Sequence, residues 1–123
     1  MIIAIDFDGT IVRGKYPAID GLMPDAASSI LALEKEGHYL IINTCRSGRH
    51  LLKAINYLLE QGIPFDRVND NHPDQTRLYK NNSRKVYAHL YIDDKNVFGF
   101  PGWKPVLEEV RRLDREWADR QGI

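Results

Sequence analysis

The sequence predicts an α/β fold, a Rossmann-like three-layer sandwich around a mainly parallel central sheet. Three observations predict it. Short apolar runs recur at 2–5, 39–42 and 90–92, with a weaker candidate strand at 65–68. Segments with helical spacing of apolar residues lie between and after them. Acidic or hydroxyl residues follow on the three runs, at Asp6 and Asp8, at Thr44, and at Asp93 and Asp94. Strands that alternate with helices imply right-handed crossovers and helices on both faces of a parallel sheet. In such sheets ligands bind at the carboxyl ends of the strands, where these polar residues fall.

The elements follow in order. Ile2–Ile5 is a continuous apolar run, as expected for a strand covered on both faces. A Gly- and Pro-punctuated stretch, 14–23, leads to Pro24, which opens a helical pattern carried by Ala27, Ile30, Leu31 and Leu33 and stopped at Gly37. Tyr39–Ile42 reads as a second buried strand and 43–48 as a loop. Leu51, Leu52, Ile55, Leu58 and Leu59 share one helical face that ends at Gly62. Phe65–Val68 is a weaker strand. The polar segment 69–83 reads as loop or short helix, and 90–92 as the fourth strand. The last helix is expected from about Pro105 to Arg120, with Val106, Val110, Leu113 and Trp117 as its apolar stripe.

A chain of 123 residues suits a single domain, expected over 1–123. Its 43% hydrophobic content argues against disorder. Lys and Arg balance Asp and Glu at 17 each, so net charge gives no reason to expect a nucleic-acid or membrane partner. The lone Cys45 excludes an internal disulfide. No basic leader and no apolar stretch of spanning length stand in the sequence, which predicts a cytoplasmic protein without a membrane association.

Asp6 and Asp8 stand one residue apart at the end of a buried strand, where mutual repulsion and lost hydration are costly unless a cation is present. Asp93 and Asp94 offer further carboxylates from another strand end. An all-oxygen donor set, with no His or Cys at ligand spacing, points to Mg²⁺ rather than zinc. The plainer alternative for this segment is a β-hairpin, because Asp8-Gly9 between apolar residues is also a turn signal. Cys45 has Leu51, not Arg, six positions on, which excludes a cysteine-phosphatase signature, and it reads as a buried neighbour of Thr44. No Gly-rich loop ending in Gly-Lys-Ser/Thr supports a P-loop. The four histidines, at 38, 50, 72 and 89, share no metal-binding spacing.

Asp6-Phe7-Asp8-Gly9-Thr10 resembles the first signature of the haloacid dehalogenase (HAD) superfamily of phosphohydrolases. Thr44 after an apolar strand is similar to the second signature, and Tyr91-Ile92-Asp93-Asp94 to the fourth. Lys85 is the choice for the third, with Arg84 and Lys80 as competitors. The resemblance spans 2–94 and implies a HAD-like hydrolase. It implies Asp6 as nucleophile, Asp8 as general acid and base, and Thr44 and Lys85 as phosphoryl contacts. It also implies Mg²⁺ held by Asp6, Asp8 and Asp93, with Asp94 orienting a metal-bound water. The gaps 11–43 and 45–84 leave no room for the cap domain many members carry, so a capless type is expected. An open site implies a large substrate or a lid lent by another subunit of a homo-oligomer. The segment 44–49 is distantly similar to the phosphatase domain of polynucleotide kinase. That adds a nucleic-acid end to phosphorylated small molecules as substrate, and assigns Arg46 to substrate phosphate. Arg13, Arg49 and the loop 69–73 are left open between substrate contact and solvent. The competing function is a non-catalytic module that binds a phosphorylated ligand or a protein on the same fold.

Overall fold

The computed structural model describes residues 1–121; residues 122 and 123, the tail of the domain expected over 1–123, lie outside the described residues. Ten elements follow in order: β1 (Ile2–Ile5), β2 (Val12–Arg13), β3 (Gly21–Leu22), α1 (Ala26–Lys35), β4 (Tyr39–Ile42), α2 (Gly48–Glu60), β5 (Arg67–Val68), α3 (Pro73–Tyr79), β6 (Leu90–Ile92) and α4 (Trp103–Arg120). The central sheet is four-stranded and parallel throughout, in the order β5-β4-β1-β6. Right-handed crossovers then dictate the layers. Moving outward from β1 to β4 to β5 sends α1 and α2 to one face, and reversing direction to reach β6 sends α3 to the other.

Residue alternation along the strands matches this. Ile3, Ile5, Leu40, Ile42 and Ile92 face a core shared with Ile30 and Leu33 of α1, Ala54 and Leu58 of α2, and Trp103 and Val110 of α4. Ile2, Ala4 and Ile41 face the opposite way, against Val86 and Ala88 of the segment before β6. His72, which caps α3 by accepting from the Asp74 amide at 3.0 Å, packs on Tyr39 of that face. The fold class is therefore the expected three-layer α/β sandwich. No cap domain is present among the described residues; the segment between β1 and α1 forms only the short antiparallel hairpin β2–β3. No described helix is long and apolar enough to cross a membrane.

Several details refine the sequence reading; β5 is confined to Arg67–Val68 and α4 begins at Trp103. The helix expected around 51–62 begins at Gly48, so Arg49 and His50 lie on its first turn. The polar stretch 69–83 contains α3, a helix with no buried residue, held by its cap rather than by an apolar stripe. Cys45 is exposed rather than buried, because β4 ends at Ile42 and the chain has already left the core.

Candidate metal and phosphoryl site at the carboxyl ends of the strands

The β1 ladder continues past its last residue, with the Asp6 amide donating to the Ile92 carbonyl at 2.9 Å. This pins Asp6 beside Asp93 and Asp94. Directly afterwards the chain turns: the Ile11 and Val12 amides both donate to the Phe7 carbonyl, at 3.0 and 3.1 Å. Phe7 and Ile11 are fully buried and anchor the turn in the core. Gly9 sits at φ +80 with the Asp94 carboxyl packed against its Cα, where a Cβ would lie 2.8 Å from Asp94 Cγ and closer still to an oxygen. Both the backbone angle and the missing side chain are therefore required at this position.

Asp6, Asp93 and Asp94 converge, each offering a carboxylate oxygen within 4.8 Å of the others. Burial pushes the Asp6 carboxyl up to about 7, and the adjoining Asp94 carboxyl and the Asp93 charge add to the rise. The Thr10 hydroxyl opposes it by donating to Asp6 Oδ2 at 3.1 Å. Thr10 is itself fully buried, and its carbonyl accepts from the Trp103 indole at 2.8 Å. Asp94 Oδ1 is buried and has no hydrogen-bond partner. A buried acceptor left bare costs stability. Its other oxygen lies 3.9 Å from the exposed Lys95 ammonium. Asp93 closes a tight turn by accepting from the Lys95 amide at 2.8 Å. This all-oxygen, electron-rich corner fits a hard divalent cation, which would neutralise the repulsion and occupy the bare acceptor. Beside it, Asp93, Leu90, Phe100 and Val106 line a groove of about 370 Å³ between β6 and α4.

Thr44 is held at the end of β4 by an amide pair. Its N–H donates to Asn69 Oδ1 at 2.8 Å, and its carbonyl accepts from Asn69 Nδ2 at 2.9 Å. The Thr44 hydroxyl accepts from the Arg46 amide at 3.1 Å, which leaves its own proton free for another partner. Loop 69–73 thus acts through its amides: Asn69 fixes Thr44, and buried Asn71 binds Asn82, Ser83 and the Tyr87 amide, folding the segment before β6 onto the sheet.

Asp8 and Arg46 depart from the sequence reading. Asp8 stands outside the three-carboxylate cluster, its two oxygens bound by Arg46 Nε and Nη2 at 2.8 and 2.7 Å. The Arg46 side chain is fully buried, so its guanidinium faces Asp8 within the protein and is not presented to solvent for a substrate phosphate. The reason is that the guanidinium is enclosed by the Phe7 and Tyr16 rings and the carbonyls of Pro17 and His50. Lys85 is exposed, with its ammonium 5.3 Å from the centre of the Tyr91 ring, and it forms no ion pair with the site carboxylates. Arg84 and Lys80 are likewise exposed. Arg13 is exposed on the hairpin, and Arg49 lines a separate cleft with Lys53 and Tyr57. Sequence reasoning missed Lys95, had Thr10 within the acidic motif without a role, and had Asn69 in a loop left open between substrate contact and solvent. Thr10 carried a signal, being a polar residue that closes the acidic motif just before an apolar pair. Asn69 carried none.

No family model and no curated protein matches the chain. Among solved structures, that of a conserved protein coded by a locus of Bacteroides thetaiotaomicron is 38% identical. The match covers 92% of this chain and 91% of that one, with a TM-score of 0.83.

Proposed function

This chain belongs to the same family as that conserved Bacteroides thetaiotaomicron protein, and we propose that it is a Mg²⁺-dependent phosphomonoester hydrolase that works through an aspartyl-phosphate on Asp6. The observation that carries the reading is the convergence of Asp6, Asp93 and Asp94 at the carboxyl ends of β1 and β6, with ligand oxygens within 4.8 Å. The order of the motifs, which resembles that of the haloacid dehalogenase superfamily, supports it independently.

Asp6, Asp93 and the Asp8 carbonyl would hold the cation, with Asp94 beside them. When bound, Mg²⁺ supplies the positive charge that lets anionic carboxylate and phosphoryl oxygens approach one another. Asp6 Oδ attacks phosphorus as the bond to the leaving oxygen breaks, and the Asp8 carboxyl gives that oxygen its proton. Water then attacks phosphorus, returns a proton to Asp8 and releases the Asp6 carboxylate. The net change is phosphomonoester plus water to alcohol plus phosphate. The Thr44 hydroxyl, which accepts from the Arg46 amide and so keeps its own proton for another partner, donates to a phosphoryl oxygen. Lys85 would have to leave the Tyr91 ring to reach the phosphoryl group. Lys95, with its ammonium 3.9 Å from Asp94 Oδ2, is a second cation beside the site.

The test is Mg²⁺-dependent release of phosphate from an aryl phosphate, with Asp6→Asn as control. Equal release by both proteins would remove Asp6 as nucleophile. The position of Lys85 favours a second reading, a module that binds a phosphorylated ligand without turnover. Mg²⁺ binding by calorimetry with no release across a panel of phosphoesters, including a 3′-phosphorylated oligonucleotide, would select it.

A further inference from the structure

We infer that Arg46 is the positioning residue for Asp8: a buried guanidinium that fixes the place and plane of this carboxyl and keeps it out of the three-carboxylate cluster. The inference rests on the hydrolase reading above and adds to it a residue that acts only through Asp8.

The geometry carries it. Arg46 spends both of its parallel donors on Asp8, Nε to Oδ2 at 2.8 Å and Nη2 to Oδ1 at 2.7 Å. Nη2 also donates to the Pro17 carbonyl at 3.1 Å, and Nη1 to the His50 carbonyl at 3.2 Å. The guanidinium carbon lies 5.1 Å from the ring centres of both Phe7 and Tyr16. The Arg46 backbone amide is tied to the Thr44 hydroxyl at 3.1 Å. One planar cation thus joins the acidic turn, the β2–β3 hairpin, the first turn of α2 and the loop after β4. The Arg46 side chain has no exposed surface, whereas the Asp8 side chain keeps 32% of its own. Arg46 therefore cannot meet a bulky substrate, but Asp8 can.

Asp8 lies two residues from Asp6, and four carboxyls crowd the neighbouring ends of β1 and β6. A free Asp8 would be drawn to the cation that serves the other three. A bidentate arginine fixes both the position and the plane of a carboxyl, because two parallel N–H···O bonds allow one orientation. Lysine offers a point charge without that fork.

Four proteins test this with Mg²⁺: wild type, Arg46→Lys, Asp8→Asn and the double variant. Each is assayed on p-nitrophenyl phosphate, whose leaving group needs little help from a proton, and on glycerol 2-phosphate, whose alkoxide needs it. Misplacing a general acid should cost kcat about tenfold on the aryl ester and about a hundredfold or more on the alkyl ester, with KM nearly unchanged. The double variant should be no slower than Asp8→Asn alone. Because Arg46 is buried, Tyr16→Leu provides a second variant at a residue that is 55% exposed. It removes one wall of the clamp and should give a smaller loss with the same preference for the aryl ester. Equal losses on the two esters, or losses that multiply with Asp8→Asn, would overturn the positioning role and leave the hydrolase reading standing. Absence of phosphate release from both esters by the wild type would overturn the hydrolase reading and the positioning role with it.

Discussion

The two ends of one parallel sheet are finished in opposite ways. At the amino ends, backbone donors meet imidazole acceptors: the Ile2 amide donates to His89 Nδ1 at 2.8 Å, and the Met1 amino group lies 3.0 Å from His38 Nδ1. His89 stacks edge-on against Trp117 and His72 packs on Tyr39. His38 Nε2 has no hydrogen bond and lies 4.0 Å from Asp114 Oδ2. At the carboxyl ends, by contrast, Asp6, Asp93 and Asp94 face like charges, and Asp94 Oδ1 is buried bare. A polar end whose bare buried atom, His38 Nε2, has a carboxylate oxygen at 4.0 Å meets no like charge. One that buries unpaired acceptors and like charges is stabilised by something added, and functional sites depart from local consistency in this way.

This contrast can be broken or sharpened by substitution. The largest effect is expected for Asp6→Asn, with phosphate release reduced at least about a thousandfold. The same change should stabilise the metal-free protein. The Asp6 carboxyl stands near 7 in the folded chain against 3.8 when unfolded. The folded state therefore holds a proton that the unfolded state gives up above about pH 4, and stability falls as pH rises toward 7. After allowance for solvent screening, removing that charge should gain about 1–2 kcal/mol at pH 7 in a chelator. Thermal melts with and without Mg²⁺ check this. Mg²⁺ should raise the wild-type melting temperature more than that of Asp6→Asn, and the reverse order would end the idea that the carboxylates are strained for a cation.

Gly9→Ala comes next. A side chain at φ +80 against the Asp94 carboxyl should cost about 2–3 kcal/mol in chemical denaturation, and lower activity as Asp94 is displaced. At the other end, His89→Leu leaves the Ile2 amide without its acceptor and should cost about 1–2 kcal/mol with kcat unchanged. A loss of activity there would show that the two ends are coupled.

The smallest effect is a difference in pH response. Burial holds His38 and His89 below the usual 6.5, so the unfolded chain binds protons that the folded chain resists. Their contribution is present above pH 6.5 and is lost on acidification below it, opposite in sign to that of Asp6. Melting curves from pH 5 to 8 in a chelator should therefore separate wild type from Asp6→Asn on the alkaline side, and both proteins from His89→Leu on the acidic side.

The strands were legible because burial on both faces demands continuous apolar runs. Ile2–Ile5, Tyr39–Ile42 and Leu90–Ile92 carry that mark, and they form the strands expected of them. Helix α3 was only half legible, as loop or short helix, because it buries nothing and rests on the His72 cap. The acidic cluster could be anticipated, since topology alone brings the ends of neighbouring strands β1 and β6 together. The partner of Arg46 could not. Arg46 and Asp8 are 38 positions apart in sequence, and neither position says whether a guanidinium turns toward substrate or toward a carboxyl.

By itself, then, the sequence determined the α/β class, the order of strands and helices, and the set of carboxyl and hydroxyl groups that strand ends would present. These follow from local rules: periodicity, turn chemistry and the cost of placing charge beside a buried strand. Only the tertiary structure decided how those groups are divided. It put Asp6 with Asp93 and Asp94, gave Asp8 to Arg46, set Asn69 behind Thr44 and left Lys85 over Tyr91. The physical reason is that side-chain pairing depends on distances of a few ångströms between segments far apart in the chain, and these are fixed only when helices, hairpin and sheet pack together.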